Sequence, residues 1–555
     1  MSFSDITHTL PLEPIDTITN SNDHLKPISY LDINQNYFHS NYQHIKEDNI
    51  IQQRVASFNW NSHINSCANS TQSVVTAIND QPDIVIGDEL LLDDSQTIRI
   101  GSEYLEKFVN HWKQFSNCIL IRPNPFSSDI VQGLLGNCWF LSALALIAER
   151  SELLEKILLT TSQEFEKTKR ATIRLFKQGR WHSVIVDNLL PVNKFGKLIF
   201  SQAKREQLFV PLIEKALAKL NGGYEALRGG LTSEGMTTLT GFPCEIVWLP
   251  NKQCIDNAHL KNGIVAIEQK EELWIKIVSY FTTGFLIGAS CGRCSNTISF
   301  TEYRSIGLLE EHAYSVLDVY SKSDLRLIKL RNPWGTMVWK GDWSDTSLTW
   351  NDNLRKELIP EGAEEGIFWI SFDDFCRYFE MIIVCKTQLG LHEYAFEGAI
   401  PGYTNDCLSN WIVYEISIDE QLTQEYYTQT QLTATLYQDK SNEPLAIFLV
   451  IYELLNSNTS PVIGSLVGFS ICNAQSSVTV ECDLRRNHRY LLGAFTFNNW
   501  YTEEDTYHPK KYIIRMQSMR QLLIKSFKPN SILLGDMIMH YARSVGSSIH
   551  VSPLQ

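Results

Sequence analysis

The sequence predicts a mixed α and β region over residues 80–395, followed by a β-sandwich over 396–555. Apolar helical segments alternate with strand pairs between about 138 and 332, whereas strand patterns alone fill the stretch from about 400 to 520. The length supports the same division. A chain of 555 residues exceeds what one hydrophobic core supports, so we expect roughly three to four folding units.

Residues 1–79 form a segment of different composition. They are polar and rich in Asn, Gln, Ser and His, with one weak helical pattern within 45–58. We expect a loosely ordered leader, because so few apolar residues cannot build a core. The first residues, MSFSDITHTLPLEP, contain neither the basic nor the apolar region of a secretory signal.

Composition argues against several function classes. A formal net charge of -14 disfavours nucleic acid as the main ligand, since phosphate binding needs clustered Lys and Arg. The longest apolar run, Leu445–Tyr452, is far shorter than the about twenty residues of a membrane helix. The 12 Cys are scattered, and the CxxC pair of Cys291 and Cys294 has no second pair to complete a zinc site. We expect a cytoplasmic protein with reduced thiols.

Four features of the core are predicted in order along the chain. The first is a helix at 138–150, and the second is a β-hairpin of strands at 171–178 and 181–188. The third is a helix at 208–221, and the fourth is an antiparallel pair of strands at 313–321 and 325–332. Ala and Leu favour the first helix. Gly179 turns the hairpin, and Gly222 ends the second helix.

The carboxyl-terminal segment contains six strand patterns: NWIVYEISI, QLTATLYQ, PLAIFLVIYEL, SSVTVECDL, RYLLGAFTF and KYIIRMQS. Short strands at regular spacing favour a β-sandwich. A short amphipathic element, LLGDMIMHYARSVG, follows them.

Cys138 is the candidate nucleophile. Gly133 and Gly136 allow a tight turn before the apolar helix, which places Cys138 in the first helical turn. Free N–H groups and the positive end of the helix dipole lower a thiol pKa there, so we expect a reactive thiolate. The amide of Gln132 and the Cys138 N–H could together form an oxyanion hole. Alone, such a Cys is more often a small buried apolar residue.

His312 and Asn332 complete a possible catalytic set. Each has an ordinary alternative role, His312 as a packed histidine and Asn332 as a turn residue before Pro333. Together they lie on the two predicted neighbouring strands, where an Asn amide can hold one tautomer of a His. The indole of Trp334 could then cover the Asn–His hydrogen bond and exclude water.

Seven sequence blocks carry a family resemblance. They are QGLLGNCWFLSAL, GRWHSVIVDNLLPV, PLIEKALAKLNGGYEAL, EGMTTLTG, EEHAYSVLDV, RNPWG and EGIFWISFDDF, spread over about 120 to 390. Their order and spacing resemble the calpain protease core, and VPLIEKALAKLNGGYEAL resembles the small-optic-lobes type. The resemblance implies a two-lobed papain-like fold in which 80–235 carries the nucleophile and 236–395 carries His312 and Asn332. It also implies an intracellular cysteine endopeptidase that cleaves protein substrates to a limited extent.

The resemblance implies calcium as a possible cofactor, and the residues at the family's calcium positions are only partly acidic here. Asp129, Asp345 and Glu365 stand at acidic calcium positions of the family, but Gln207, Val338 and Ile367 stand where the family has Glu. Apolar side chains supply no oxygen, and calcium takes about six to eight. No EF-hand loop is present in the sequence. We therefore expect no certain cofactor and at most weak calcium binding in the core.

Two other functions compete with the protease. A transglutaminase also uses Cys, His and an acid, but Gln132 and the Asn332-Pro-Trp string disfavour it. An inactive protease could instead act as a scaffold, with the β-sandwich binding a protein or membrane partner. The intact catalytic set argues against lost chemistry without excluding such binding. On the second helix, Glu214 and Lys215 are expected to be solvated or paired at the surface.

Overall fold

A computed structural model describes residues 83–86, 94, 98–249, 263–292, 298–360, 362–400, 411–419, 428–438, 444–455, 461–472, 474–496 and 510–548. The predicted helix within 45–58 and Cys294 lie outside these residues. The described part of the chain is mixed α and β, as predicted. None of its helices is both long enough and apolar enough to cross a membrane.

The first part of the core combines short sheets with helices. Its strands are β1 (Ile84–Ile86), β2 (His111–Gln114), β3 (Ile130–Val131), β4 (Arg170–Lys177), β5 (Arg180–Asp187), β6 (Leu189–Val192) and β7 (Gln202–Ala203). Its helices are α1 (Glu103–Glu106), α2 (Cys138–Ala148), α3 (Ser151–Ile157), α4 (Ser162–Thr168), α5 (Phe209–Asn221) and α6 (Thr232–Thr240). The predicted hairpin is present as β4 and β5, which pair antiparallel around Gly179 at φ +80°.

Helix α2 lies at the centre of this first part. Every residue of α2 after Cys138 is buried, as expected for a helix that is apolar on all sides. It packs against α6 and against strand residues of the second part. The sequence therefore places the first residue of a fully enclosed helix where the two parts of the core meet.

The second part is built on one six-stranded sheet. Its strands are β8 (Cys244–Trp248), β9 (Leu286–Cys291), β10 (His312–Lys322), β11 (Leu325–Arg331), β12 (Ile367–Ser371) and β13 (Met381–Cys385). They lie in the order β12-β11-β10-β9-β13-β8, and the predicted pair is β10 with β11, antiparallel. Its helices are α7 (Gly263–Thr283), α8 (Phe300–Ser305), α9 (Asp352–Leu358) and α10 (Phe372–Tyr378).

The carboxyl-terminal part contains two antiparallel sheets that share one hydrophobic cluster. Its strands are β14 (His392–Ile400), β15 (Val413–Ile418), β16 (Gln429–Gln438), β17 (Ile447–Leu455), β18 (Val462–Phe469), β19 (Ser477–Arg485), β20 (Arg489–Thr496), β21 (Lys510–Ser518) and β22 (Leu522–Phe527). One sheet has the order β14-β21-β16-β19 and the other β18-β17-β20-β15-β22. Helix α11 (Ser531–Ser548) follows, and its apolar residues join the same cluster.

Two predicted boundaries fall inside secondary structure. Position 235 lies within α6, and position 395 lies within β14, which pairs with β21 of the carboxyl-terminal part. The α6 sequence TSEGMTTLT is too polar to give a helical pattern, and its role depends on packing against α2. Neither location could be read from composition alone.

The carboxyl-terminal part contacts the first part of the core at the β4–β5 hairpin. Phe176 packs with Tyr437 and Ile513. Nearby, Arg515 donates a hydrogen bond to the Gly179 carbonyl at 3.2 Å. The tip of the hairpin is therefore covered by the sheet that contains β16 and β21.

Candidate active site

Cys138 is the first residue of α2, as predicted. The preceding turn is possible because Gly133 has no side chain: a Cβ there would lie 2.0 Å from the Phe200 carbonyl oxygen. The Asn137 carbonyl accepts the first helical hydrogen bonds, from the N–H groups of Phe140 at 3.0 Å and Leu141 at 3.1 Å. The Cys138 side chain is half-buried and forms no disulfide.

His312 and Asn332 are hydrogen-bonded as the sequence predicted. His312 begins β10, Asn332 follows β11, and His312 Nε2 lies 2.8 Å from Asn332 Oδ1. Asn332 Nδ2 donates to the carbonyls of Thr336 at 2.7 Å and Met337 at 3.0 Å, so the orientation of the amide is fixed. Since Oδ1 only accepts, Nε2 carries the proton, and Nδ1 of the neutral ring is the free base.

Trp334 lies beside this pair. Its ring centroid is 5.2 Å from that of His312, in an edge-to-face arrangement. Tyr314 makes a similar contact at 5.1 Å. The imidazole is 4% exposed, so the two rings hold it by packing in addition to its hydrogen bond with Asn332.

Several hydrogen bonds join the two parts of the core at this point. The backbone of Ala313, next to His312, is close enough to Cys138 to lower the pKa of its thiol. The Gln132 N–H donates to the Pro333 carbonyl at 3.0 Å, and Ser315 Oγ donates to the Ser142 carbonyl at 2.7 Å. They hold the start of α2 against the start of β10.

Arg331 is a site residue that the sequence analysis missed. It is fully buried, and its Nη2 donates to the Ile130 carbonyl in the first part of the core. Burial lowers the pKa of Arg331 to about 10. Nothing in the sequence near Arg331 indicates that its side chain will bind a carbonyl of the other lobe.

The protonation of the candidate pair differs from the prediction. Burial raises the pKa of the Cys138 thiol, and the backbone hydrogen bonds from Ala313 and Trp139 offset this only in part. Burial also lowers the pKa of His312 to about 4, against a smaller opposing effect of the Asn332 hydrogen bond. The expected low thiol pKa was wrong, because desolvation outweighs the helix start. Both shifts favour the uncharged forms of the two side chains.

Gln132 lies at the same turn and is 8% exposed. One hydrogen of its Nε2 amide donates to the Leu135 carbonyl at 2.8 Å. An amide nitrogen carries two hydrogens, so the second remains available for another acceptor. The sequence-predicted residues Gln132, Cys138, His312 and Asn332 are therefore brought to one region.

In the first lobe, the residues at the family's calcium positions are bound to other groups of the chain. The buried carboxylate of Asp129 is ion-paired with Arg122, at 2.7 Å, and with Arg205. Gln207 Oε1 accepts a hydrogen bond from the Arg122 N–H at 2.9 Å, and its Nε2 donates to the Lys204 carbonyl at 3.0 Å. Two guanidinium groups thus neutralise the carboxylate that a calcium ion would need.

In the second lobe, the acidic residues at the family's calcium positions are Asp345 and Glu365, and Glu365 is also ion-paired. Glu365 pairs with Lys204 of the first lobe at 2.5 Å, and Ile367 is buried with no ligand atom on its side chain. Burial raises the pKa of Asp345, which disfavours the charged form that binds a metal. Within the described ranges, no group of three or more His, Cys, Asp or Glu side chains is placed to hold a metal ion.

The expectation that Glu214 and Lys215 are solvated or paired at the surface was wrong. They are 1% and 0% exposed. Lys215 is ion-paired with Asp187 and, at 3.0 Å, with Asp94. Glu214 accepts hydrogen bonds from Asn137 and Ser201. Helix α5 is enclosed on the face that carries these charges, so its polar residues bind buried groups.

The likeness to known proteins covers the core. The model of the calpain family cysteine proteases matches residues 102–386, just over half of the chain. The calpain-type cysteine protease DEK1 of Arabidopsis thaliana is 37% identical over 281 residues, which is 50% of this chain and 12% of that protein. The calpain-1 catalytic subunit of Rattus norvegicus is 34% identical over 294 residues, 50% of this chain and 38% of that protein.

The chain thus spans much less than two thirds of the length of these relatives. Among solved structures, VP2 of infectious bursal disease virus aligns over 48% of this chain and 66% of its own at 12% identity. Its TM-score is 0.09, which carries no argument about fold. The matched family region, by contrast, contains the elements that bear Cys138, His312 and Asn332, and the chain belongs to the calpain family of cysteine proteases.

Proposed function

We propose that this chain is a cytoplasmic cysteine endopeptidase that cleaves protein substrates to a limited extent. The supporting observation is the 2.8 Å contact between His312 Nε2 and Asn332 Oδ1. It leaves Nδ1 as the free base on a strand whose next residue, Ala313, is close enough to Cys138 to lower the pKa of its thiol. This is the arrangement that a Cys–His–Asn mechanism requires.

The proposed reaction begins with a proton transfer. His312 Nδ1 takes the proton of the neutral Cys138 thiol, and the thiolate attacks the scissile carbonyl carbon. Gln132 Nε2 and the Cys138 N–H donate to the oxygen on which negative charge develops. His312 then gives its proton to the leaving amine, and water hydrolyses the acyl-enzyme by the same steps in reverse. Asn332 keeps the imidazole in one tautomer throughout.

We also propose that the core needs little or no calcium. The ion pairs of Asp129 with Arg122 and Arg205 support this, because they balance the negative charge that a calcium ion would otherwise balance. Glu365 has a partner in Lys204, which joins the two lobes directly.

Two finer assignments are part of the proposal. The shared cluster of the two carboxyl-terminal sheets supports a β-sandwich, a surface suited to a protein or membrane partner. The string VPLIEKALAKLNGGYEAL, which forms much of α5 and the turn after it, supports a relation to the small-optic-lobes type.

An epoxide-type thiol inhibitor tests the main proposal. The purified full chain is incubated with the inhibitor, with and without calcium, and the modified peptide is located by mass spectrometry. We expect labelling at Cys138, cleavage of casein, and loss of both in Cys138→Ala. Cys118→Ser is the matched control, since Cys118 is also a half-buried free thiol. A folded protein without labelling or cleavage under any condition would favour the scaffold function instead.

A further inference from the structure

Glu214 is a buried carboxyl group for which the proposed reaction has no step. It lies on α5 and is 1% exposed. Within the described residues no Lys, Arg or His side chain is at salt-bridge distance from it, unlike the adjacent Lys215, which has two carboxylate partners. Both Glu214 oxygens instead accept hydrogen bonds from neutral groups, Oε1 from Asn137 Nδ2 at 2.6 Å and Oε2 from the Ser201 N–H at 2.9 Å.

Asn137 connects Glu214 to the catalytic turn. It immediately precedes Cys138 and is fully buried. Its N–H donates to the Leu135 carbonyl at 2.9 Å, and the same carbonyl accepts the hydrogen bond of Gln132 Nε2 at 2.8 Å. The position of Asn137 therefore affects both the nucleophile and the proposed oxyanion donor.

Ser201 connects Glu214 to the other side of this turn. The preceding residue, Phe200, is the one whose carbonyl oxygen approaches Gly133 so closely that a Cβ would lie 2.0 Å away. The Leu134 N–H also donates to the carbonyl of Ile199 at 2.9 Å. Glu214 therefore holds, through Ser201, the segment 199–201 that contacts residues 133 and 134.

On these contacts, and resting on the proposed function, we propose that Glu214 is a positioning residue that holds the Gln132–Cys138 turn in its reactive geometry through Asn137 and Ser201. A carboxylate suits this place because it only accepts hydrogen bonds and has two oxygens for the two donors. A Gln side chain has one oxygen, so its NH2 group would face one of the two N–H donors. Even the isosteric substitution therefore breaks one contact.

Protonation has a similar effect. Burial raises the pKa of Glu214 to about 7, although the hydrogen bonds from Ser201 and Asn137 oppose the rise. Burial raises the pKa of the nearby Tyr224, as do the charges of Glu214, Asp94 and Asp187, and Lys215 pairs with both aspartates. As pH falls through the neutral range, one oxygen becomes a hydroxyl and the turn loses one acceptor.

The test compares Glu214→Gln with wild type in the full chain. We expect kcat to fall by about 100-fold, the effect of a small misplacement at a reacting centre, with KM changed less than about twofold. Alkylation of Cys138 by iodoacetamide, followed by mass spectrometry, should slow in the same variant and lose the pH dependence near neutrality that wild type shows. Asn137→Ala, which keeps the carboxylate, should reproduce the loss of kcat if Glu214→Gln does not fold.

Asp94→Asn is the matched control. Asp94 is a buried carboxylate that contacts α5 through Lys215 and Lys219 but does not contact Asn137. Its substitution should lower the melting temperature and leave kcat of the folded protein unchanged. Wild-type kcat and an unchanged pH profile in Glu214→Gln and Asn137→Ala would overturn the positioning role. An inactive wild type that no thiol inhibitor labels would instead refute the proposed function.

Discussion

Replacing Asn332 with Ala removes four hydrogen bonds in one step. Its Oδ1 accepts from His312 Nε2 at 2.8 Å and from the Trp334 N–H at 3.0 Å. Its Nδ2 donates to the carbonyls of Thr336 and Met337. The residue is 0% exposed, and a net contribution of about 1 kcal/mol per hydrogen bond gives a predicted loss of about 4 kcal/mol in unfolding free energy.

The expected effect on catalysis is smaller than that of removing the base. After Asn332→Ala, the imidazole still packs between Trp334 and Tyr314, at centroid distances of 5.2 and 5.1 Å. This packing retains part of its orientation, so we expect kcat/KM to fall by about 100-fold, less than in His312→Ala. The predicted loss of unfolding free energy, about 4 kcal/mol, is much larger than the loss that an ordinary surface substitution causes.

Urea denaturation and steady-state cleavage of a peptide substrate measure the two effects separately. Asn193→Ala is the matched control, since Asn193 Oδ1 also holds a turn, through the N–H groups of Phe195 at 2.9 Å and Lys197 at 3.1 Å. It should cost about 1–2 kcal/mol and leave kcat/KM unchanged. A folded Asn332→Ala that is less active than His312→Ala, or as stable as wild type, would refute the assigned roles.

Four further outcomes are expected. His312→Ala should abolish turnover as fully as Cys138→Ala, because the two act as one unit, and turnover near the wild-type rate would contradict this. Gln132→Ala should lower kcat by about 100- to 1,000-fold, and a change confined to KM would exclude the oxyanion role. The pKa of Glu214 is raised from 4.5 to about 7. Its stabilising contribution, about 3 kcal/mol, is therefore fully present below pH 4.5 and lost as pH rises to about 7, and denaturation of Glu214→Gln should lack this dependence. Calorimetric titration with calcium should show no micromolar binding, and activity should persist in chelator. Two micromolar sites with activity lost in chelator would show that the replaced ligands are compensated.

The positions of the candidate site could be predicted because local patterns determine them. A glycine turn before an apolar helix places Cys138, and β10 with β11 places His312 and Asn332 across one strand pair. The six predicted carboxyl-terminal strands are present for the same reason, since each is a short segment with an apolar or alternating pattern. Strands β14, β18 and β22 were missed. The first two contain glycine and the third is six residues long, so none gives a strong pattern.

The protonation of the site could not be predicted from local pattern. The helix start acts on Cys138 as expected, through hydrogen bonds from backbone N–H groups, but residues far along the chain remove its water. Burial likewise lowers the pKa of His312 to about 4. Desolvation depends on the assembled fold, so a sequence motif gives the residue types of a catalytic pair without giving their charges.

The residues at the family's calcium positions are a second case in which local sequence does not give the charge of a site. Counting ligands in the sequence left Asp129 as a retained carboxylate and Gln207 as a lost one. In the structure the carboxylate of Asp129 is already occupied, because Arg122 and Arg205 pair with its two oxygens. A dication at this position would have to displace two cations that are attached to the chain and so present at high effective concentration. A comparison of ligand positions alone does not consider these two arginines, which are ion-paired with Asp129.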